Sequence, residues 1–128
     1  VEEEKLAHDL YTAFAALYDL PRFERIAAAE TRHRAAVRTL LARYDVVDPS
    51  VGAAPGAFAD DELQARYDTL LAQGRTSLEA ALGVGRTVEN DDLRTLTAAA
   101  EGVTAADVLR VIEAQKAASA RHLAAFGG

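Results

Sequence analysis

Residues 23–44 read FERIAAAETRHRAAVRTLLARY, and as a helix they put Phe23, Ile26, Val37, Leu40 and Tyr44 at alternating steps of three and four along one face. The same alternation lands on Glu30 and His33. A carboxylate and an imidazole therefore stand in a seam that is otherwise apolar. Burying both costs on the order of several kcal/mol unless each finds a partner. Those partners have to come from elsewhere in the chain.

Upstream, residues 1–18 read as a first helix, with Leu6, Leu10, Ala13 and Leu17 on one line and Glu4, Ala7, Tyr11, Phe14 and Tyr18 on the line beside it. Asp19-Leu20-Pro21 makes a turn so short that the first two helices must be antiparallel neighbours, with Pro21 at the first position of the second. Downstream, Asp45 to Ala59 holds Pro49, Gly52, Pro55 and Gly56 and reads as an irregular crossover. Asp60-Asp61-Glu62 opens a shorter helix whose apolar face is Leu63, Tyr67, Leu70 and Leu71 and whose stop is Gly74. Thr76-x-x-Glu79 fits a capping box for a third long helix ending at Gly102, with a seam of Leu78, Leu82, Gly85, Glu89, Asp92 and Leu96. Thr104-x-x-Asp107 is a weaker capping box for the last helix, whose seam is Val108, Ile112, Gln115, Ser119, His122 and Phe126.

At 128 residues the chain has room for one core, and an alanine-rich composition with 6% aromatics favours closely approaching helices over strands. A formal charge of −6 argues against a nucleic-acid binder that neutralises phosphates and suits cations better. With no cysteine, disulfides, zinc–thiolate sites and iron–sulfur clusters are all excluded, so any metal must be held by Asp, Glu and His. No apolar run reaches the length of a membrane span and no signal-peptide pattern stands out. The chain has no methionine, so Val1 is not an initiation site; the location stays open between the cytoplasm and export after removal of a targeting segment.

Polar seam positions thus recur on all four long helices: Glu4, Glu30 and His33, Glu89 and Asp92, and His122. In a four-helix bundle such side chains converge. Carboxylate oxygen and imidazole nitrogen suit iron or manganese, and the i, i+3 spacing of Glu30 and His33 puts both on one face. Four carboxylates and two histidines balance two divalent ions in formal charge, which favours two metals over one and leaves open positions for dioxygen or peroxide. Each half of the chain is then a hairpin with a carboxylate on one helix and a histidine on the next.

Glu4 followed by Tyr11, then Glu30-x-x-His33, a long crossover, Glu89 and His122 resembles the ferritin-like carboxylate-bridged di-iron superfamily, which includes rubrerythrins and bacterioferritins. More closely, EEEKLAHDLY, AAAETRH, LQARYDTLLAQGRTSLEAALGVGRTVENDDL and ARHLAAF resemble the DUF2202 ferritin-like domain family. The resemblance covers nearly the whole chain as a single domain. It implies an all-α, ferritin-like antiparallel four-helix bundle with a long crossover carrying a short fifth helix between helices 2 and 3. It also implies a non-haem centre of two Fe or Mn ions, with oxidation of ferrous iron or reduction of peroxide or dioxygen as its chemistry. The superfamily's second Glu-x-x-His is here Ser119-x-x-His122, and Asp92, one turn after Glu89, could supply the missing carboxylate.

Each residue also has a plainer reading. Glu4 could be a first-turn acid beside Glu2 and Glu3, and Asp92 could be solvated with Asp91. Tyr11 reads equally as core packing or as a hydrogen-bond donor to a ligand carboxylate, and His8 and Glu113 read as surface residues. Gly85 reads as room for close helix contact, and Arg25, Arg32, Arg34, Arg38 and Arg43 as a solvated face pairing with acids elsewhere. No catalytic side chain stands out beyond the ligand set. The competing function is a non-enzymatic helical interaction module with one structural metal or none. A storage cage ranks below both, and a homodimer is left open.

Overall fold

A computed structural model of the chain describes residues 2–48 and 53–127. It is all-helical: α1 (Glu2–Tyr18), α2 (Pro21–Arg43), α3 (Asp61–Gly74), α4 (Leu78–Ala100) and α5 (Ala106–Ala125), with no strand among the described residues. Among the described residues no helix is long and apolar enough to cross a membrane. Of the turn formers expected in the crossover, Pro49 and Gly52 lie outside the described residues.

Helix ends follow local chemistry. Pro21 occupies the first turn of α2, and Asp19 takes a left-handed φ of 49° at the end of α1. At the end of α2, Asp45 has φ 57°, and Val46 N–H reaches back to the Leu41 carbonyl at 2.8 Å, closing a Schellman-type cap without glycine. Asp60 caps α3 by accepting from the amides of Glu62 and Leu63. The cap of α4 is Ser77, one residue past the expected Thr76, and its hydroxyl accepts from Ala80 N–H. Ala105 precedes α5 and makes no side-chain cap; the Asp107 carboxylate is engaged instead by Arg43, Tyr44 and the Val108 amide.

α1 packs chiefly on α2 and α4 on α5, with α3 laid against α1 and α4. The hairpin partnership predicted for the first two helices is thus present. The hairpins also meet edge to edge, α1 with α4 and α2 with α5. Along α2, residues 30, 33 and 43 meet residues 122, 115 and 107 of α5, so that pair runs antiparallel.

The core is densest at one end, where Tyr11, Phe14, Phe23 and Phe126 interlock with ring centroids 5.2–6.2 Å apart. Gly85 admits the Phe126 ring, since a Cβ there would lie 2.6 Å from it. Gly74 serves the same purpose for Phe14, at 2.1 Å, and is the last residue of α3 rather than a left-handed stop. The seams of α2 and α4 run past this core: Tyr44 and Leu78 are exposed, as is Leu17 at the end of α1.

Lys5 is fully buried, an arrangement its sequence position does not suggest. Its ammonium donates to Asp9 Oδ2 at 2.6 Å and to the carbonyls of Ala54 and Ala57 at 2.9 and 2.8 Å, and lies 4.3 Å from the centroid of the Phe58 ring. Asp9 also accepts from Gly56 N–H at 3.0 Å. An ion pair normally left on a helix surface thereby pins the crossover to α1. Hydrogen bonds from Lys5, Gly56 and His8 outweigh the cost of burial and hold the Asp9 carboxyl below the usual carboxylate range.

Two glycines should respond oppositely to alanine. Gly74→Ala overpacks Phe14 and should cost about 1–3 kcal/mol. At Gly83 a Cβ would meet only the Arg86 guanidinium, at 3.5 Å; Gly83→Ala should therefore gain about 0.5–1 kcal/mol. Urea denaturation of the two variants checks both signs.

Candidate metal centre

Glu30 of α2, Glu89 of α4 and His122 of α5 converge, with ligand-type atoms all within 4.8 Å of one another. Glu30 is 1% exposed, Glu89 0% and His122 9%. His122 Nδ1 lies 3.2 Å from Glu89 Oε1 and 3.6 Å from Glu30 Oε1. His33 Nδ1 lies 3.4 Å from Glu30 Oε2, and its ring stacks on His122 with centroids 6.0 Å apart. Both histidines thus turn the same nitrogen toward the carboxylates.

The remaining predicted positions surround this trio at different distances. Tyr11 donates to Glu89 Oε2 at 3.0 Å, so it is both core packing and an anchor for that carboxylate. Asp92 is buried one turn beyond Glu89 and lines a cavity of about 430 Å³ together with Glu4, Glu30, His33 and Ser119. Glu4 is half-buried on that wall, and its charge reaches Asp92. Ser119, where a carboxylate was expected, is buried and leaves the wall open for Asp92. His8 sits away from the trio, 3.0 Å from Asp9. Glu113 is a surface residue beside Lys116.

Charge is unevenly settled here. Burial works against ionising both glutamates. Glu30 has two imidazoles beside it and is held below its ordinary pKa, whereas Glu89, with one imidazole, Tyr11 and the Glu30 charge nearby, is pushed up. Burial opposes charge on His122 too, yet Glu30 and Glu89 together raise it to about 9. Burial and the charges of Glu89 and Glu30 push Asp92 from 3.8 to about 9. Burial, with the same carboxylates, keeps the Tyr11 phenol neutral far above its usual range. Even so, Glu30 Oε1 is buried and accepts no hydrogen bond. The His122 Nδ1, 3.6 Å away, is an ion-pair partner beyond hydrogen-bond distance.

Two supporting groups carry little signal in the sequence, where Gln115 is a seam position of α5 and Glu2 reads only as a first-turn acid. Gln115 donates to the His33 carbonyl at 3.3 Å and lines the same cavity. Glu2 is buried at the mouth, where Oε1 accepts from Ala59 N–H at 3.1 Å. The cavity then runs from the acidic end past Val37, Leu41 and Leu96 to the exposed Val46 and Val47.

Asp92 offers a pH test in the metal-free protein. Its folded pKa lies above the unfolded one, so between 3.8 and about 9 the folded state keeps a proton that the unfolded state has lost. Stability contributed at Asp92 therefore falls as pH rises through that window. Asp92→Asn, which mimics the protonated acid, should gain on the wild type by at least about 1 kcal/mol across it. Urea midpoints at successive pH values check this, and parallel curves would contradict it.

Comparison with known proteins gives a consistent result. A family model described as an uncharacterized protein domain, DUF2202, matches residues 1–127. The chain is 34% identical over 125 residues to the uncharacterized protein MJ0754 of Methanocaldococcus jannaschii, covering 98% of this chain and 68% of the relative. It is also similar to the crystal structure of hypothetical protein MJ0754 from Methanococcus jannaschii, with a TM-score of 0.94 at 34% identity over 98% of this chain and 71% of that one. A match across almost the whole length in sequence, together with this likeness in structure, places the chain in the DUF2202 family.

Proposed function

We propose that the chain is a ferritin-like four-helix bundle built around a dinuclear non-haem metal centre, and that its chemistry is oxidation of ferrous iron or reduction of peroxide or dioxygen. The single observation that carries the reading is the Glu30 carboxylate: buried, facing two imidazoles, and with Oε1 accepting no hydrogen bond. A cation completes that oxygen where the protein does not. The donor set of carboxylate oxygen and imidazole nitrogen fits iron or manganese. The two antiparallel hairpins meeting along α1·α4 and α2·α5 support the bundle.

Glu30, Glu89 and His122 would form the heart of the centre, with His33 on the other side of Glu30. Asp92 and Glu4 would complete the set from the cavity wall, Asp92 standing in for the carboxylate absent at Ser119. When bound, the metals supply the electrons for reduction of the oxidant and open positions for it to bind. The chain's own residues do the rest. Tyr11 fixes the rotamer of Glu89 through its hydroxyl, and the aromatic cluster behind it excludes water. Asp92 must release its proton to ligate, so loading should release protons to the medium. The acidic mouth at Glu2, Glu3 and Glu4 draws cations toward the cavity.

A second reading rests on His122. Charged between Glu30 and Glu89, it neutralises part of the cluster without any metal, which suits a non-enzymatic helical module. The two readings separate in one experiment. Metal analysis should find about two ions per chain, as a dinuclear site requires, and ferrous iron added under air should oxidise rapidly, followed by absorbance. The Glu30→Ala, His33→Ala double variant should lose both. An unaltered metal content in that variant, or a wild-type chain that stays metal-free in excess iron, leaves the module.

A further inference from the structure

The arginines of α2 are mostly exposed, as expected of a solvated face, but they differ in their partners. Arg38 pairs with Asp48 and Arg43 with Asp107, and elsewhere Arg66 and Arg94 share Asp91. Arg25 and Arg32 make no hydrogen bond or ion pair among the described residues, nor do Arg110 and Arg121 of α5. These four line one groove of about 560 Å³ between α2 and α5, on the opposite side of the histidines from Glu30 and Glu89.

That segregation runs against the composition. Acids outnumber Lys and Arg by 20 to 14, so an arginine placed without regard to function has an excess of carboxylates to meet. Four exposed arginines instead border one groove that has no Asp or Glu among its lining residues. The walls between them are small, with Ala29 and Ala118 among the lining residues, so α2 and α5 leave a trough rather than an interdigitated seam. Arg25 and Arg32 lie about 10 Å apart along α2, and Arg110 and Arg121 about 16 Å apart along α5. Charges spaced along two helices in this way suit a ligand that carries several linked anionic groups better than one with a single charged centre.

We propose that this groove is a binding site for a small multivalent oxyanion, a polyphosphate or a polycarboxylate, held lengthwise by Arg25, Arg32, Arg110 and Arg121 against the His33 and His122 rings. Guanidinium forks recognise phosphate and carboxylate oxygens in pairs, and an array along two helix faces selects for charge repeated along a chain. The two sites share the His33 and His122 rings as a wall, with the carboxylates on one side and the four arginines on the other.

Calorimetric titration of the metal-free chain tests it, with tripolyphosphate, citrate and inorganic phosphate as probes. Tripolyphosphate or citrate should bind saturably and at least about tenfold more tightly than inorganic phosphate, and more weakly as salt is raised; whichever binds more tightly identifies the class. Arg32→Gln combined with Arg121→Gln should weaken that binding by about tenfold or more, while Arg94→Gln, on a paired surface arginine, should leave it unchanged. Equal affinity for inorganic phosphate, equal loss in Arg94→Gln, tighter binding of a short duplex DNA, or no saturable binding would each overturn the proposal. Metal content measured on the same variants keeps a failure here distinct from a failure at the carboxylate cluster.

Discussion

A carboxylate placed one turn after Ile26 in a packed helix, with 1% of its surface in contact with water, constrains everything that touches it. Glu30 cannot stay ionised in that position on burial alone, which pushes the other way. It needs imidazoles, and they come from its own helix at His33 and from the far hairpin at His122. Bringing His122 in obliges Glu89 to share it, and Glu89 in turn takes the Tyr11 hydroxyl. Tyr11 packs at a tilt against Phe126, which fits only because position 85 is glycine. One misplaced charge is thereby linked to side chains on α1, α2, α4 and α5.

Lys5 is the complementary case. It carries a positive charge into the interior, and main-chain carbonyls of the crossover satisfy it along with Asp9. Removing either partner would leave a buried charge unanswered, which is far more costly than losing a surface pair. The two buried networks have different characters. Around Lys5 every ammonium donor is used, whereas around Glu30 one acceptor is left over. A structural network closes on itself, and a binding site keeps a valence open.

The elements themselves were legible in the sequence because periodicity and punctuation agree: the α5 seam is buried as spaced at Ile112, Gln115, Ser119, His122 and Phe126, with Val108 at its start half-buried. Glu30, Glu89 and His122 were legible for the same reason, as polar interruptions of apolar lines. Lys5 was not, since a Lys and an Asp four residues apart look like an ordinary surface pair until the crossover is laid over them. Leu17 and Leu78 kept the period yet lie exposed, because a helix repeats its pattern beyond the point where a neighbour is there to cover it. The arginine groove was also hidden. Sequence spacing on α2 says nothing about which acids fold back to meet it, and Arg25 and Arg32 turn out to face the arginines of α5.

Packing is heaviest within each hairpin and lighter where the hairpins meet. Contacts close in sequence form early in folding, so α1 with α2 and α4 with α5 can assemble before Glu30 encounters Glu89 and His122. The carboxylate cluster lies in the joint between the hairpins. Parting the hairpins to expose Glu30 would also separate Tyr11 and Phe23 from Phe126 and strip α3 from one of its two neighbours. Access to a buried group at such a joint is therefore tied to the packing between the halves as well as within each.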